Sequence, residues 1–169
     1  MRFLWLLTFL IGMGSHAGAI KGHVIGVTDG DTLTVLDADR RQQRIRLAGI
    51  DAPEKRQAFG ARAKESLSEL SFGKQVEVQA SKKDRYGRFV GKVLVEGRDV
   101  NLEQIRRGFA WHYKAYQREQ SLMDRVLYDA AETEARASGS GLWGYATPLP
   151  PWDFRREKRG LATNMSAAP

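Results

Sequence analysis

From Ile20 onward, apolar and polar positions first group in short β-like runs and only later recur at helical spacing. Val24, Ile25 and Val27 fall in one run and Thr32 to Leu36 in a second. Both are rich in the β-branched residues that suit a pleated surface, and Asp29-Gly30-Asp31 punctuates them. In Arg44-Ile45-Arg46-Leu47 the alternation is strict, so a strand here puts Arg44 and Arg46 on one face and Ile45 and Leu47 on the other. Gly49 and Pro53 end it in a loop. Ala63, Leu67 and Leu70 at i, i+4 and i+7 predict an amphipathic helix that stops at Gly73. Val76 and Val78 alternate with polar residues in a fourth strand, and Phe89 to Val95 supply a fifth after the Tyr86-Gly87 break. Asp99 can cap a short second helix with Leu102, Ile105 and Phe109 on one side. A longer third helix, from about Glu119 to Ala137, carries Leu122, Val126 and Ala130.

Five short strands, one inserted helix and two helices after them indicate an α+β domain. The expected architecture is a five-stranded closed β-barrel of the OB-fold type with three α-helices, a barrel whose face is a frequent nucleic-acid platform. A chain of 169 residues, 42% of them hydrophobic, holds enough apolar material for one such core and not comfortably for two. That domain is expected over residues 20–145.

The two ends differ in kind. Met1-Arg2 is a short positive start, Phe3 to Met13 is apolar apart from Thr8 and Gly12, and Ala17-Gly18-Ala19 offers a small-residue cleavage pattern. Residues 1–19 therefore have the order of parts of a secretory signal peptide. The competing reading is an uncleaved anchor, but a bilayer span takes roughly 20 apolar residues, and this run breaks at Gly14-Ser15-His16. With the signal removed, no stable membrane anchor is expected, and the location is secreted or periplasmic. Residues 146–169 read as a Pro-rich segment, docked through Trp152, that gives way beyond about Lys158 to a disordered tail. The absence of cysteine leaves the redox compartment open. Formal net charge is +7, and loss of Arg2 with the signal leaves +6. Such a balance favours polyanionic partners without identifying them.

The chemistry is concentrated in three segments: Val27-Thr28-Asp29-Gly30-Asp31-Thr32-Leu33, Arg44 to Glu54, and Asp84-Arg85-Tyr86-Gly87-Arg88. They put carboxylates and arginines at strand ends and loop tips, where binding groups are usually held. If Asp31 and Asp51 meet, they repel unless a cation lies between them, and oxygen-only ligation suits a hard ion such as Ca²⁺. Singly, each element also has a plain structural reading: Asp29-Gly30-Asp31 as a hairpin turn, Asp51-Ala52-Pro53 as a turn entrance, Arg46 and Arg88 as solvated strand positions.

Jointly, and in this order from about Ile20 to Trp143, the segments resemble the staphylococcal (micrococcal) nuclease, or thermonuclease, family. The resemblance implies the same fold, a five-stranded OB barrel with three helices. It also implies a calcium site of Asp31, Asp51 and the backbone carbonyl of Ala52, where the best-known member has Thr. Glu54 matches the carboxylate that positions or deprotonates the attacking water, and Arg46 and Arg88 the two guanidiniums that grip the scissile phosphate. Tyr86, Trp111 and Tyr113 match aromatic positions of the nucleotide pocket, with Trp111 in place of the usual Tyr; a core position for Trp111 after the second helix is an equal alternative. Lys83 and Arg85 are candidate phosphate neighbours, with a solvated charged face as the plain alternative. The implied activity is calcium-dependent hydrolysis of DNA and RNA, largely independent of sequence, leaving 3′-phosphate ends, by a monomer. The rival of a different class is a non-catalytic nucleic-acid-binding module. Such a module should lack some of Asp31, Arg46, Asp51, Glu54 and Arg88, and all are present.

Overall fold

The structure is a computed structural model describing residues 19–166, the side chains of 161–166 excepted. The expected signal peptide, all but its last residue, lies outside the described residues, as do 167–169. Among the described residues no helix is long and apolar enough to cross a membrane.

Five strands close a barrel: β1 (Ile20–Asp29), β2 (Thr32–Asp37), β3 (Gln42–Leu47), β5 (Gln75–Lys83) and β6 (Phe89–Val95). Neighbours pair antiparallel in the order β3-β2-β1-β5-β6, and a parallel pairing of β3 with β6, Ile45 opposite Phe89 and Leu47 opposite Gly91, completes the ring. Closure removes the free sheet edges that would otherwise be unpaired. The inward side chains come from the period-two positions: Val24, Leu33, Val35, Ile45, Leu47, Val76, Val78 and Val93 are each 2% exposed or less. Burying a side chain of that size contributes about 1.5–3 kcal/mol, so this interior supplies much of the driving force for folding. The same alternation leaves Arg44 and Arg46 on the opposite face of β3. The expected α+β barrel is therefore the observed one.

Three two-residue strands complete the sheets. β4 (Ile50–Asp51) pairs with β8 (Trp111–His112), Asp51 opposite Trp111, while β7 (Arg98–Asp99) extends the β6 edge. α1 (Gly60–Ser71) packs on β1, and α2 (Val100–Arg106) lies between α1, β6 and α3. Asp99 caps α2 as expected, accepting from the Leu102 N–H at 3.1 Å. α3 (Leu122–Ala137) starts later than expected because Lys114–Glu119 forms a 3₁₀ turn and Ser121 is the N-cap.

The inward face of α3 is also not the one expected. Leu122 and Val126 are 76% and 66% exposed, and Ala130 is exposed too; Tyr128, Ala131, Glu132 and Ala135 are buried instead. The buried side has its own apolar spacing, Tyr128, Ala131 and Ala135 at i, i+3 and i+7, and polar tips tie it down. Tyr128 donates its hydroxyl to Asp99 Oδ2 at 2.8 Å, and Glu132 Oε1 accepts from the His112 N–H at 3.2 Å. Finally, Pro151–Ser166 forms a fourth helix, α4, where a docking segment and then a disordered tail were expected. Pro151 suits a first helical position, since its fixed φ is preorganised and its missing N–H needs no partner. The carbonyl of Pro150 accepts the first bonds, from Asp153 and Phe154 N–H at 3.1 and 3.0 Å.

Candidate active site

The β1–β2 turn, the end of β3, β4 with the loop after it, and the β5–β6 hairpin open into one cleft of about 790 Å³. The turn can lie this close to β4 because residue 30 is glycine: a Cβ there would stand 2.7 Å from the Ala52 Cβ and 2.6 Å from the Ala63 Cβ. Gln104 of α2, fully buried, holds the turn from behind by donating to the Gly30 carbonyl at 2.8 Å and the Ala63 carbonyl at 3.0 Å.

Two carboxylates face each other across a guanidinium. Arg46 forms an ion pair with Asp31 Oδ2 at 2.9 Å and donates to Asp51 Oδ1 at 3.0 Å, with its side chain only 15% exposed. Burial works against its charge, but the Asp31 and Asp51 carboxylates outweigh burial and hold Arg46 above the ordinary arginine value. Asp31 is oriented further by the Thr32 hydroxyl at 3.1 Å and the Ala52 N–H at 2.9 Å. Asp51 is buried, and burial pushes its carboxyl up despite the opposing pull of Arg155 and Arg46. Asp29, beside Asp31, is pushed up to about 6 by burial and by the Asp31 charge. This end of the cleft thus concentrates negative charge in a place where water screens it poorly.

Opposite, Arg88 is held by Asp84, Nε to Oδ2 at 2.8 Å, and by the Thr32 Oγ1, which accepts from its Nη1 at 3.2 Å. Thr32 therefore links Arg88 to Asp31. Glu54 is half-buried, its backbone N–H fixed by Gln57 Oε1 at 3.0 Å. Tyr86 is 65% exposed at the hairpin tip beneath the guanidiniums of Arg85 and Arg88, at 5.2 and 5.5 Å from its ring centre. Lys83 lies over the Phe89 ring at 4.3 Å.

The sequence of the staphylococcal nuclease homologue family matches this chain over residues 44–145, from β3 to the turn after α3. The chain belongs to that family. A protein of Escherichia coli O157:H7 described as an uncharacterized endonuclease is 39% identical over 158 residues, covering 93% of this chain and 99% of its own length. A micrococcal nuclease of Shigella flexneri is 38% identical over 153 residues, 85% of this chain and 84% of its own. A further uncharacterized endonuclease, of Haemophilus influenzae, is 40% identical over 136 residues, 80% of this chain and 73% of its own.

Of the residues expected at the site, Asp31, Arg46, Asp51, Ala52, Glu54, Lys83, Arg85, Tyr86, Arg88 and Tyr113 all line the one cleft. Trp111 does not. It is 3% exposed and packs edge-on against Trp143 and Trp152, at 5.2 and 6.4 Å between centres, so here it is a core aromatic. β8 is buried at both of its residues, Trp111 and His112, and Tyr113, just past the strand, reaches the cleft. Among the described residues no group of three or more His, Cys, Asp or Glu is arranged to hold a metal ion.

Sequence reasoning missed three contributors. Asp29 was visible in the motif but carried no role. Gln104 reads as an ordinary helix residue. Arg155 of α4 stood only as part of the basic pair Arg155-Arg156, yet it donates to Asp51 Oδ2 and to Glu54 Oε1, both at 2.7 Å. It lies beyond the segment matched by the staphylococcal nuclease family.

Proposed function

We propose that the protein is a secreted or periplasmic, calcium-dependent nuclease that hydrolyses phosphodiester bonds of DNA and RNA, largely without regard to sequence, leaving 3′-phosphate ends. The observation that carries this reading is the convergence of Arg46, Arg88, Asp31, Asp51 and Glu54 in one cleft, within a chain of the staphylococcal nuclease homologue family. Location rests on the signal-like residues 1–19.

Attack on a phosphodiester builds negative charge on the non-bridging oxygens. Arg46 and Arg88 can meet that charge with planar forks of N–H donors, which a lysine cannot present. Asp84 and Thr32 hold Arg88 in orientation before substrate arrives, so little reorganisation is needed during the reaction. Glu54 supplies the acceptor for the proton of an attacking water. Tyr86 and Tyr113 offer ring faces to bases, and Lys83 and Arg85 offer charge to flanking phosphates. Neither kind of contact reads sequence.

The donor set supports a hard cation: carboxylates of Asp31 and Asp51, the carbonyl of Ala52, and no sulfur or imidazole beside them. Bound there, Ca²⁺ would supply electrostatic stabilisation of the charged phosphate. With two carboxylates and one carbonyl against the roughly 6–8 oxygens Ca²⁺ takes, water must fill the rest and affinity should be modest.

The test is supercoiled plasmid incubated with the purified protein in calcium, then in excess chelator. Nicking and linearisation in calcium and none in chelator are expected, with weaker activity in Mg²⁺. Full activity in chelator removes the metal assignment. Retention of DNA on the protein with no cleavage in either condition turns the reading into a binding module.

A further inference from the structure

Every carboxylate oxygen of Asp51 already has protein donors. Oδ1 accepts from Arg46 Nη2 at 3.0 Å and from Arg155 Nη1 at 3.3 Å, and Oδ2 accepts from Arg155 Nη2 at 2.7 Å. The same Arg155 Nη1 reaches Glu54 Oε1 at 2.7 Å. The Asp51 side chain is 1% exposed, so what approaches its Oδ2 must come through the space the Arg155 guanidinium fills. We propose that Arg155 is an internal competitor of the divalent cation: its guanidinium holds the Asp51 Oδ2 that the ion would take, tying it to Glu54, and must leave before the ion can bind.

Two guanidiniums meet this carboxylate, and their attachments differ. Arg46 belongs to a barrel strand, paired with Thr32 on β2 and Val90 on β6, with a further bond to the Leu47 carbonyl at 3.3 Å. Arg155 is 35% exposed and sits on a helix outside the barrel. That helix is held near the cleft by Trp152, which stacks on Tyr113 at 5.4 Å between centres and 15° between planes, and the Leu149 carbonyl before it accepts from Gln57 Nε2 at 2.5 Å. Arg155 is therefore the partner that can be given up without opening the barrel. A guanidinium and a divalent cation on one carboxylate oxygen repel one another at contact distance, so the two occupancies exclude each other. Trp152 adds a second consequence, because it covers one face of Tyr113, an aromatic side chain of the same cleft. The helix thus stands against both the ion and one aromatic face.

This inference rests on the calcium reading proposed above, and its test is ion binding without nucleic acid. Calcium chloride is titrated calorimetrically into the protein and into Arg155→Ala, Arg155→Gln and Trp152→Ala, each first checked for a cooperative thermal transition in chelator. If the cation-competent arrangement is populated about one part in ten, removing the competitor tightens the apparent Kd about tenfold. Arg155→Gln keeps bulk and hydrogen bonding without charge and should tighten it likewise. Trp152→Ala frees the helix without touching a carboxylate and should move the Kd the same way. An unchanged or weakened Kd in both Arg155 variants overturns the proposal. If the parent still needs calcium to cut plasmid in that case, the nuclease reading stands and only the competitor role is lost; no calcium binding by any of the four proteins overturns both.

Discussion

Two polar clusters meet at the β1–β2 turn, and they are built on opposite plans. Gln104 behind the turn, and Asn101 beside it against β6 and Ala48, are fully buried neutral amides of α2 whose partners are fixed groups of the chain. Gln104 accepts from the Ser66 hydroxyl at 2.6 Å and donates to two carbonyls. Asn101 accepts from the Val93 N–H at 3.1 Å and donates to the Ala48 carbonyl at 2.9 Å. In front of it, the carboxylates of Asp29, Asp31, Asp51 and Glu54 face the guanidiniums of Arg46 and Arg155, with Arg88 across the cleft. Neutral amides with complete partners set one geometry and have no reason to change it. Shared charges in a cleft can exchange partners, which is what an incoming phosphate or cation requires. Damage to the first cluster should therefore be read in stability, and damage to the second in turnover.

The largest expected effect is on the charged side. Arg88→Ala should cut turnover by roughly 10²- to 10³-fold, the scale of losing one preorganised charge-stabilising donor. Binding should fall far less, because the charge it meets grows in the transition state. Single-turnover cleavage beside DNA binding separates the two. A folded variant that cuts at the parent rate, or loses both in equal proportion, makes Arg88 a positioning residue at most.

The amide side should respond the other way. Gln104→Leu leaves the Gly30 and Ala63 carbonyls and the Ser66 hydroxyl without their buried partner, and should cost about 1–3 kcal/mol of stability. Urea unfolding in chelator measures it free of any ion contribution. A midpoint equal to the parent's would mean that the turn is held by packing alone, and the contrast between the clusters would collapse.

Much of this layout is legible in the sequence, because the barrel strands announce themselves by period-two alternation and the alternation in Arg44-Ile45-Arg46-Leu47 assigns faces directly. Cleft residues could be gathered because strand ends and their loops carry them together, as with Asp31, Asp51 and Arg88. What escaped has physical causes. β4 and β8 are two residues each and buried at both, too short for any period, so the burial of Trp111 leaves no trace in the pattern. Arg155 reaches Asp51 across 104 positions of sequence, on a helix whose Pro-rich entry masks it. On α3 the larger aliphatic residues are the exposed ones, and the docked side carries Tyr128, Ala131 and Ala135 with Glu132, the polar tips of Tyr128 and Glu132 meeting partners in β7 and β8. Two faces of α3 carry apolar residues at helical spacing, and periodicity alone does not choose between them.

That last case yields the smallest expected effect. Leu122→Gln and Val126→Gln together should change stability by no more than about 0.5 kcal/mol, as for surface substitutions that touch nothing. The side chains stand 76% and 66% exposed, so there is little buried apolar area to lose. Glutamine is also at least as good a helix former as valine, which tends to offset any loss at that position. Neither residue lines the cleft, so cleavage and calcium affinity should match the parent. Thermal unfolding of the double variant, run in dilute solution beside Gln104→Leu, checks this directly. A loss on the scale of the Gln104 variant would mean that the face of α3 carrying Leu122 and Val126 is covered in solution. The division between a structural rear cluster and a functional front one would then have to admit a third region, an apolar surface whose cover contributes to the fold.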